Sequence, residues 1–141
     1  MKGWLLDTNV LSELRKPRPN EKVIKFISKQ PLESLFVSVV TFAEIRFGIE
    51  KLSDAAKRNA LQEWLDHELR PLFENRVLFL NEDVLLQWRL IIETGRRKGH
   101  TFSHPDVLIA AAAKTYGLTV VTRNTREFAA AEVPVFNPWT D

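Results

Sequence analysis

At 141 residues, with 45% hydrophobic residues and a formal net charge of +2, the chain has the size and composition of one domain with a hydrophobic core. It contains no cysteine, so disulfides and thiolate zinc sites are excluded, which suits a reducing cytoplasm. Its first residues lack the regions of a secretory signal, and no apolar stretch approaches the roughly 20 residues of a membrane span. We therefore expect a single cytoplasmic domain over residues 1–141, without membrane association.

Short apolar runs alternate with helical patterns along the chain. In order, the strand candidates are Trp4–Leu6, Leu35–Ser38, 77–80, Thr119–Val121 and 133–136. Helical stretches separate these runs, and such alternation is typical of βα units with parallel strands. The pattern predicts an α/β fold in which helices cover both faces of a mostly parallel central sheet.

Three of the helices have clear signals. The first follows the N-cap candidate Asn81, and the second follows Ser53; both carry an apolar stripe, and we expect the two to pack together as a hairpin. The third runs between Pro105, which suits a helix start, and Gly117, which suits a stop. Because residues 107–113 are apolar nearly all round, this third helix is predicted to be buried.

Three acidic residues are expected at junctions between the sheet and a helix. Asp7 directly follows Trp4–Leu6, and Glu44 and Asp106 are each expected in the first turn of a helix. The carboxyl ends of parallel strands share one edge of the sheet, where ligands bind in open α/β folds. Clustered carboxylates suit Mg²⁺ or Mn²⁺, which support attack of an activated water on a phosphodiester.

Each acid also has an ordinary explanation. Asp7 would satisfy loop amides, Thr41 to Glu44 has the form of a capping box, and Asp106 would favour a helix N-terminus. The last junction, after Thr119–Val121, adds Asn124 and Glu127 as candidates for a fourth ligand, or as plain turn residues. Two basic clusters, at 15–18 and 96–100, suit either phosphate contacts or solvated helix ends.

Taken together, these segments resemble the PIN-domain ribonucleases, especially the VapC toxins and their FitB-like branch. The matching stretches are 5–13, 38–49, 105–113, 122–128 and 136–139, in that order. The resemblance implies a three-layer α/β/α sandwich around a parallel sheet. It also implies that Asp7, Glu44 and Asp106 are the catalytic, metal-binding acids. The fourth ligand would be Asn124, Glu127 or a water held by either, and Thr8, Asn9 and Thr122 would support the site.

The resemblance further implies Mg²⁺- or Mn²⁺-dependent endonucleolytic cleavage of RNA by a homodimer. It implies inhibition by a VapB/FitA-like antitoxin, whose C-terminal segment occupies the active-site groove. Toxin and antitoxin would form a larger hetero-oligomer that reaches operator DNA through the antitoxin.

Two other interpretations remain. In the first, the protein is a catalytically silent module that acts by binding its antitoxin and, through it, operator DNA. This alternative stays open because Asn124 stands where many relatives of the family have an acid. In the second, Asp7 is the nucleophile of a phosphatase, which is disfavoured because Asn9 stands where such an enzyme needs a second aspartate.

Overall fold

A single parallel sheet organises the part of the chain that the computed structural model describes, residues 3–141. Its five strands there are β1 (Trp4–Leu6), β2 (Leu35–Ser38), β3 (Val77–Leu78), β4 (Thr119–Val121) and β5 (Val135–Phe136). They lie in the order β3-β2-β1-β4-β5, and every neighbouring pair is parallel. All predicted strands are therefore present.

Two strands are shorter than predicted. β3 ends at Leu78, and the following Phe79 and Leu80 are exposed instead of paired. β5 begins at Val135, directly after Pro134. Proline has no backbone N–H to donate to a neighbouring strand. Apolar character alone therefore overestimated both strands.

Helices connect the strands. Their bounds are α1 (Thr8–Arg15), α2 (Glu21–Lys29), α3 (Val39–Glu50), α4 (Ala55–Trp64), α5 (Arg70–Leu72), α6 (Glu82–Arg97), α7 (His104–Tyr116) and α8 (Thr125–Ala130). A π-helical turn, Leu65–Leu69, joins α4 to α5. Asn81 caps α6 and Gly117, at φ +66°, ends α7, both as predicted. Among the described residues, no helix has the length and apolar character needed to cross a bilayer.

The sheet separates two hydrophobic cores. Leu5 and Val120 contribute to the core that α6, α7 and α8 cover, whereas Leu6 and Val121 contribute to the core beneath α1 to α4. This alternation follows from the two-residue period of side chains along a strand. The predicted α/β/α sandwich with helices on both faces is confirmed.

The expected hairpin of α4 and α6 is wrong. α6 packs against α7 in one layer, and α4 packs against α3 in the other. An apolar stripe shows that one face of a helix is buried, but it does not say which side of a sheet receives that face.

The chain order creates a switch point between β1 and β4. The chain leaves β1 towards β2 and β3, then returns past β1 to form β4 and β5. Ligands of open α/β sheets bind where the strand order reverses in this way. Here the carboxyl ends of β1 and β4 lie side by side, and the backbone N–H of Asp7 donates to Val121 O at 3.0 Å.

Candidate active site

Asp7 lies at the switch point, where β1 passes directly into α1. It is the N-cap of α1, and its Oδ1 accepts the backbone N–H of Thr8 at 2.8 Å. The residue is only 5% exposed. The expected role of Asp7 as an acceptor for nearby amides is therefore real, but it occupies one carboxylate oxygen and leaves the other for contacts across the sheet edge.

Thr122 provides those contacts from the end of β4. Its buried hydroxyl donates to Asp7 Oδ2 at 2.8 Å and accepts the backbone N–H of Asn124 at 2.9 Å. Asn9 bridges the same two elements: its Nδ2 lies 3.2 Å from Thr122 Oγ1 and 3.4 Å from Asp7 Oδ2, and its Oδ1 accepts the Arg123 N–H. These bonds fix the orientation of the Asp7 carboxylate.

Glu44 reaches the site from α3, but not from the first turn of that helix. α3 begins at Val39, immediately after β2, because Ser38 Oγ accepts the N–H of Val40. Thr41 is therefore inside the helix, so the alternative explanation of Glu44, as part of a capping box with Thr41, is wrong. Glu44 is exposed to solvent and lines the same cavity as Asp7.

Asp106 lies in the first turn of α7, as predicted, and is half-buried. Its Oδ2 accepts a hydrogen bond from Asn124 Nδ2 at 2.9 Å. Asn124 comes from the loop after β4, so this bond joins that loop to the first turn of α7.

Both carboxylate oxygens of Glu127 have contacts in the loop before α7, although its chain position made it a candidate ligand. Its Oε1 accepts the backbone N–H of Ser103 at 2.9 Å, and its Oε2 lies 3.7 Å from His100 Nε2. Of the two candidates for the fourth position, Asn124 lines the cavity and Glu127 does not.

The acids surround one open cavity of about 430 Å³, which also has a basic side. Besides Asp7, Glu44, Asp106 and Asn124, its lining residues are Thr8, Asn9, Ser12, Glu13, Lys16, Pro105, Ile109, Arg123 and Trp139. Lys16 Nζ is held by Glu13 Oε1 at 2.8 Å, and the Arg123 guanidinium lies 4.9 Å from the Trp139 ring centroid. Acids and cations therefore line the same opening, an arrangement that suits a phosphate ester.

The sequence interpretation had not placed Glu13 in this site. Glu13 is buried, and its Oε2 accepts the N–H of Asn20 at 2.8 Å. Bonds from Lys16 and Asn20 lower its pKa below the usual glutamate range. The spacing along α1 could have predicted this position. Asn9, Glu13 and Lys16 are three or four residues apart and therefore share one face of the helix.

Asp7 and Asp106 both have pKa values above the ordinary aspartate value of 3.8. Burial raises the pKa of Asp7 above its ordinary 3.8, and the nearby charges of Asp106 and Glu44 raise it further, against the bonds from Thr122 and Thr8. Burial also raises the pKa of Asp106, against the side-chain bonds from Ser103 and Asn124, and the charge of Glu127 adds to the rise. A cation between these carboxylates would relieve both effects.

The donor set fits a hard divalent cation. Among residues 3–141, no three His, Cys, Asp or Glu side chains stand close enough to hold an ion as they lie. Mg²⁺, however, usually takes one or two carboxylates and completes its shell with water and substrate oxygens. Asp7 and Asp106 face one cavity and provide such a pair, with Glu44 and the Asn124 amide beside them.

Comparison with known proteins identifies the class. The family model described as the PIN domain matches residues 4–133, and the chain belongs to that family. Toxin FitB of Neisseria gonorrhoeae is 42% identical over 137 residues, which cover 97% of this chain and 99% of FitB. The VapC ribonuclease Y4jK of Sinorhizobium fredii is 36% identical over 135 residues, with 96% of each chain covered.

Solved structures agree with the sequence comparison. The crystal structure of FitAcB from Neisseria gonorrhoeae contains a chain that is 41% identical, with a TM-score of 0.91 and coverage of 98% of this chain and 99% of that one. A chain of FitAB bound to a DNA fragment is 40% identical, with a TM-score of 0.90 and coverage of 98% and 96%. The resemblance to the FitB and VapC branch, inferred from short motifs, is confirmed.

Proposed function

We propose that the protein is a divalent-metal-dependent endoribonuclease and the toxin component of a VapBC-like toxin–antitoxin system. One observation carries the proposal: Asp7, Glu44 and Asp106, from three different elements, line a single cavity together with Lys16 and Arg123. The ribonuclease names of VapC relatives and the toxin name of FitB support the same activity.

In this proposal Asp7, Glu44 and Asp106 are the catalytic acids. Asp7 and Asp106 would hold Mg²⁺ or Mn²⁺, with Glu44 and either Asn124 or Glu127 as further candidates. When bound, the ion supplies an activated water and stabilises charge on the phosphodiester. An RNA phosphate brings the negative charge that Lys16 and Arg123 would bind.

The remaining residues of the site would orient the acids. Thr122 Oγ1 and the backbone N–H of Thr8 hold the two oxygens of Asp7, and Asn9 ties α1 to the end of β4. Asn124 holds one oxygen of Asp106. Such bonds to ligands keep a site preorganised and typically affect metal affinity or activity 10- to 100-fold.

We also propose the partners that this function requires. FitAB and several VapBC complexes among the similar structures are toxin–antitoxin assemblies, and some are bound to DNA. By analogy, a VapB/FitA-like antitoxin would inhibit this protein and connect it to operator DNA. A homodimer that joins the antitoxin in a larger hetero-oligomer completes the proposal.

The test is cleavage of total RNA by purified, antitoxin-free protein with Mn²⁺, with EDTA, and by the Asp7→Asn and Asp106→Asn variants. Discrete products that disappear with EDTA and in both variants support the proposal. Asp83→Asn is the matched control, because Asp83 lies on the surface of α6 outside the cavity.

Undiminished cleavage by Asp7→Asn would contradict the proposal. No cleavage by the folded wild type, together with no Mn²⁺-dependent rise in melting temperature, would instead favour the catalytically silent module, since an ion that binds the native state stabilises it by mass action.

A further inference from the structure

The start of α7 has the sequence of a capping box that the structure does not form. Ser103 precedes the helix, and Asp106 is three residues further on. In a capping box, the acid reaches back and accepts the backbone N–H of the cap residue. Here that N–H donates instead to Glu127 Oε1 at 2.9 Å, and the Asp106 carboxylate accepts from Asn124.

Contacts on the loop before α7 hold Glu127 in this position. Its second oxygen lies 3.7 Å from His100 Nε2, and that nitrogen is buried without a hydrogen-bond partner among residues 3–141. The His100 ring packs edge-on against Phe102, with the ring centroids 4.3 Å apart. The backbone N–H of His100 donates to the backbone oxygen of Gly95 in the last turn of α6. Glu127 therefore points towards an anchored loop.

We propose that Glu127 is a positioning residue that accepts the Ser103 backbone N–H in place of Asp106, so that the Asp106 carboxylate lines the cavity instead of turning back to that N–H. The inference rests on the proposed function, in which Asp106 holds a divalent ion. It gives Glu127 a role distinct from direct coordination, the other role its place in the sequence suggested.

The two roles predict different results for two variants of the same residue. In Glu127→Ala the Ser103 N–H loses its acceptor, and Asp106 is the acid in the helix turn that can replace it. Asp106 would then turn from the cavity towards its own backbone. In Glu127→Gln the amide oxygen still accepts the N–H, so Asp106 stays in place. A direct ligand would instead be weakened by both changes, because each removes the charge.

Mn²⁺ titration by calorimetry separates these roles. Loss of an orienting contact typically costs 10- to 100-fold in metal affinity, and we expect a loss of that size in Glu127→Ala but not in Glu127→Gln. Glu63→Ala is the matched control, because exposed Glu63 at the end of α4 pairs only with exposed His67 of the following turn, at 3.4 Å and outside the cavity, and its loss should leave Mn²⁺ affinity unchanged. Equal losses in both Glu127 variants, or no loss in Glu127→Ala, would overturn the inference.

Hydrogen exchange at the Ser103 amide, measured without metal, tests the same inference independently of ion binding. We expect this amide to stay protected in Asp106→Ala, because Glu127 remains, and in Glu127→Ala, because Asp106 takes its place. It should exchange fast only in the double variant. Fast exchange in Asp106→Ala alone, or continued protection in the double variant, would contradict the claim that Glu127 is the acceptor and that Asp106 can replace it.

The two measurements separate the failure of each proposal. If the wild type binds no Mn²⁺ while Ser103 behaves as expected, the metal chemistry of the proposed function fails and the capping role stands. If the wild type binds Mn²⁺ and cleaves RNA while Ser103 does not behave as expected, the capping role fails alone.

Discussion

Asn124 donates a hydrogen bond of 2.9 Å from Nδ2 to Asp106 Oδ2 and so joins the loop after β4 to the first turn of α7. An amide at this position stabilises the carboxylate without adding a negative charge beside it. The cavity can therefore keep its acids together in the absence of a cation, at the cost of one potential charged ligand.

Asn124→Asp should lower the stability of the protein without metal and strengthen its binding of metal. The new carboxylate would face Asp106 across a hydrogen-bond distance, so the melting temperature without metal should fall at neutral pH. The added charge should strengthen Mn²⁺ binding, so the rise in melting temperature with Mn²⁺ should exceed that of the wild type. Asn75→Asp, at an exposed turn outside the cavity, is the control. An unchanged metal response would place Asn124 outside the metal site.

The raised pKa of Asp7 predicts an unusual pH dependence for Asp7→Asn without metal. A carboxyl group whose folded pKa lies above its unfolded value contributes stability at low pH that is lost as the pH rises through the folded pKa. Burial is the main cause of the shift in Asp7. The variant should therefore melt higher than the wild type at pH 7, and the difference should vanish as the pH falls below the ordinary aspartate value of 3.8.

Asp66→Asn is the control with the opposite sign. Hydrogen bonds from Gln62 and Arg70 lower the pKa of Asp66. Its contribution is therefore present at neutral pH and is lost as the pH falls through its folded pKa, so this variant should melt slightly lower than the wild type at pH 7. Melting temperatures of the wild type and of both variants, measured from pH 3 to 8, test these two expectations. A lower melting temperature for Asp7→Asn at pH 7 would contradict the argument.

Thr122→Val and Thr41→Val form a matched pair at two fully buried hydroxyls. The Thr122 hydroxyl donates to Asp7 and accepts the Asn124 N–H, whereas the Thr41 hydroxyl has no partner among residues 3–141. Leaving buried groups unpaired costs about 1–3 kcal/mol, and we expect Thr122→Val to lose that much stability in urea unfolding. Thr41→Val should be neutral or stabilising. Equal changes in stability for the two variants would mean that the hydrogen bonds of Thr122 do not stabilise the fold.

Lys16 and Arg123 should contribute to RNA affinity through phosphate contacts. For single strands, each neutralised phosphate adds about 0.7 to the slope of log affinity against log salt concentration. Lys16→Ala and Arg123→Ala should each weaken binding and flatten this slope, measured by fluorescence anisotropy with Asp7→Asn as the uncleaving background. Lys57→Ala, on exposed α4 outside the cavity, should leave the slope unchanged. Slopes unaffected at Lys16 and Arg123 would exclude both as phosphate contacts.

Two glycines should respond to alanine in opposite directions. A Cβ at Gly95 would lie 2.4 Å from Phe102 Cε2, in the packing that supports the loop before α7, so Gly95→Ala should lower stability. A Cβ at Gly48 in α3 meets nothing within 4 Å. Alanine is favoured over glycine inside a helix by about 0.5–1 kcal/mol, so Gly48→Ala should raise stability by that amount. Thermal unfolding of both variants checks the pair, and a stabilised Gly95→Ala would contradict the packing.

The sequence by itself determined the features that depend on neighbouring residues and on periodicity. The end of β1 at Asp7, the caps of α6 and α7 and the buried character of α7 all follow from short signals, because a cap or an apolar face is defined within a few residues. The alternation of strands and helices was enough to predict a parallel sheet with an acidic carboxyl edge.

Only the tertiary structure decided the features that depend on partners distant in the chain. It put α4 and α6 on opposite faces of the sheet, and it started α3 at Val39, so that Glu44 lies beyond the first turn. It also turned Glu127 towards Ser103, 24 residues away, and left Asn124 beside Asp106. Local sequence cannot reveal such pairings, because a hydrogen-bond donor is satisfied by whichever acceptor the packed layers bring within reach.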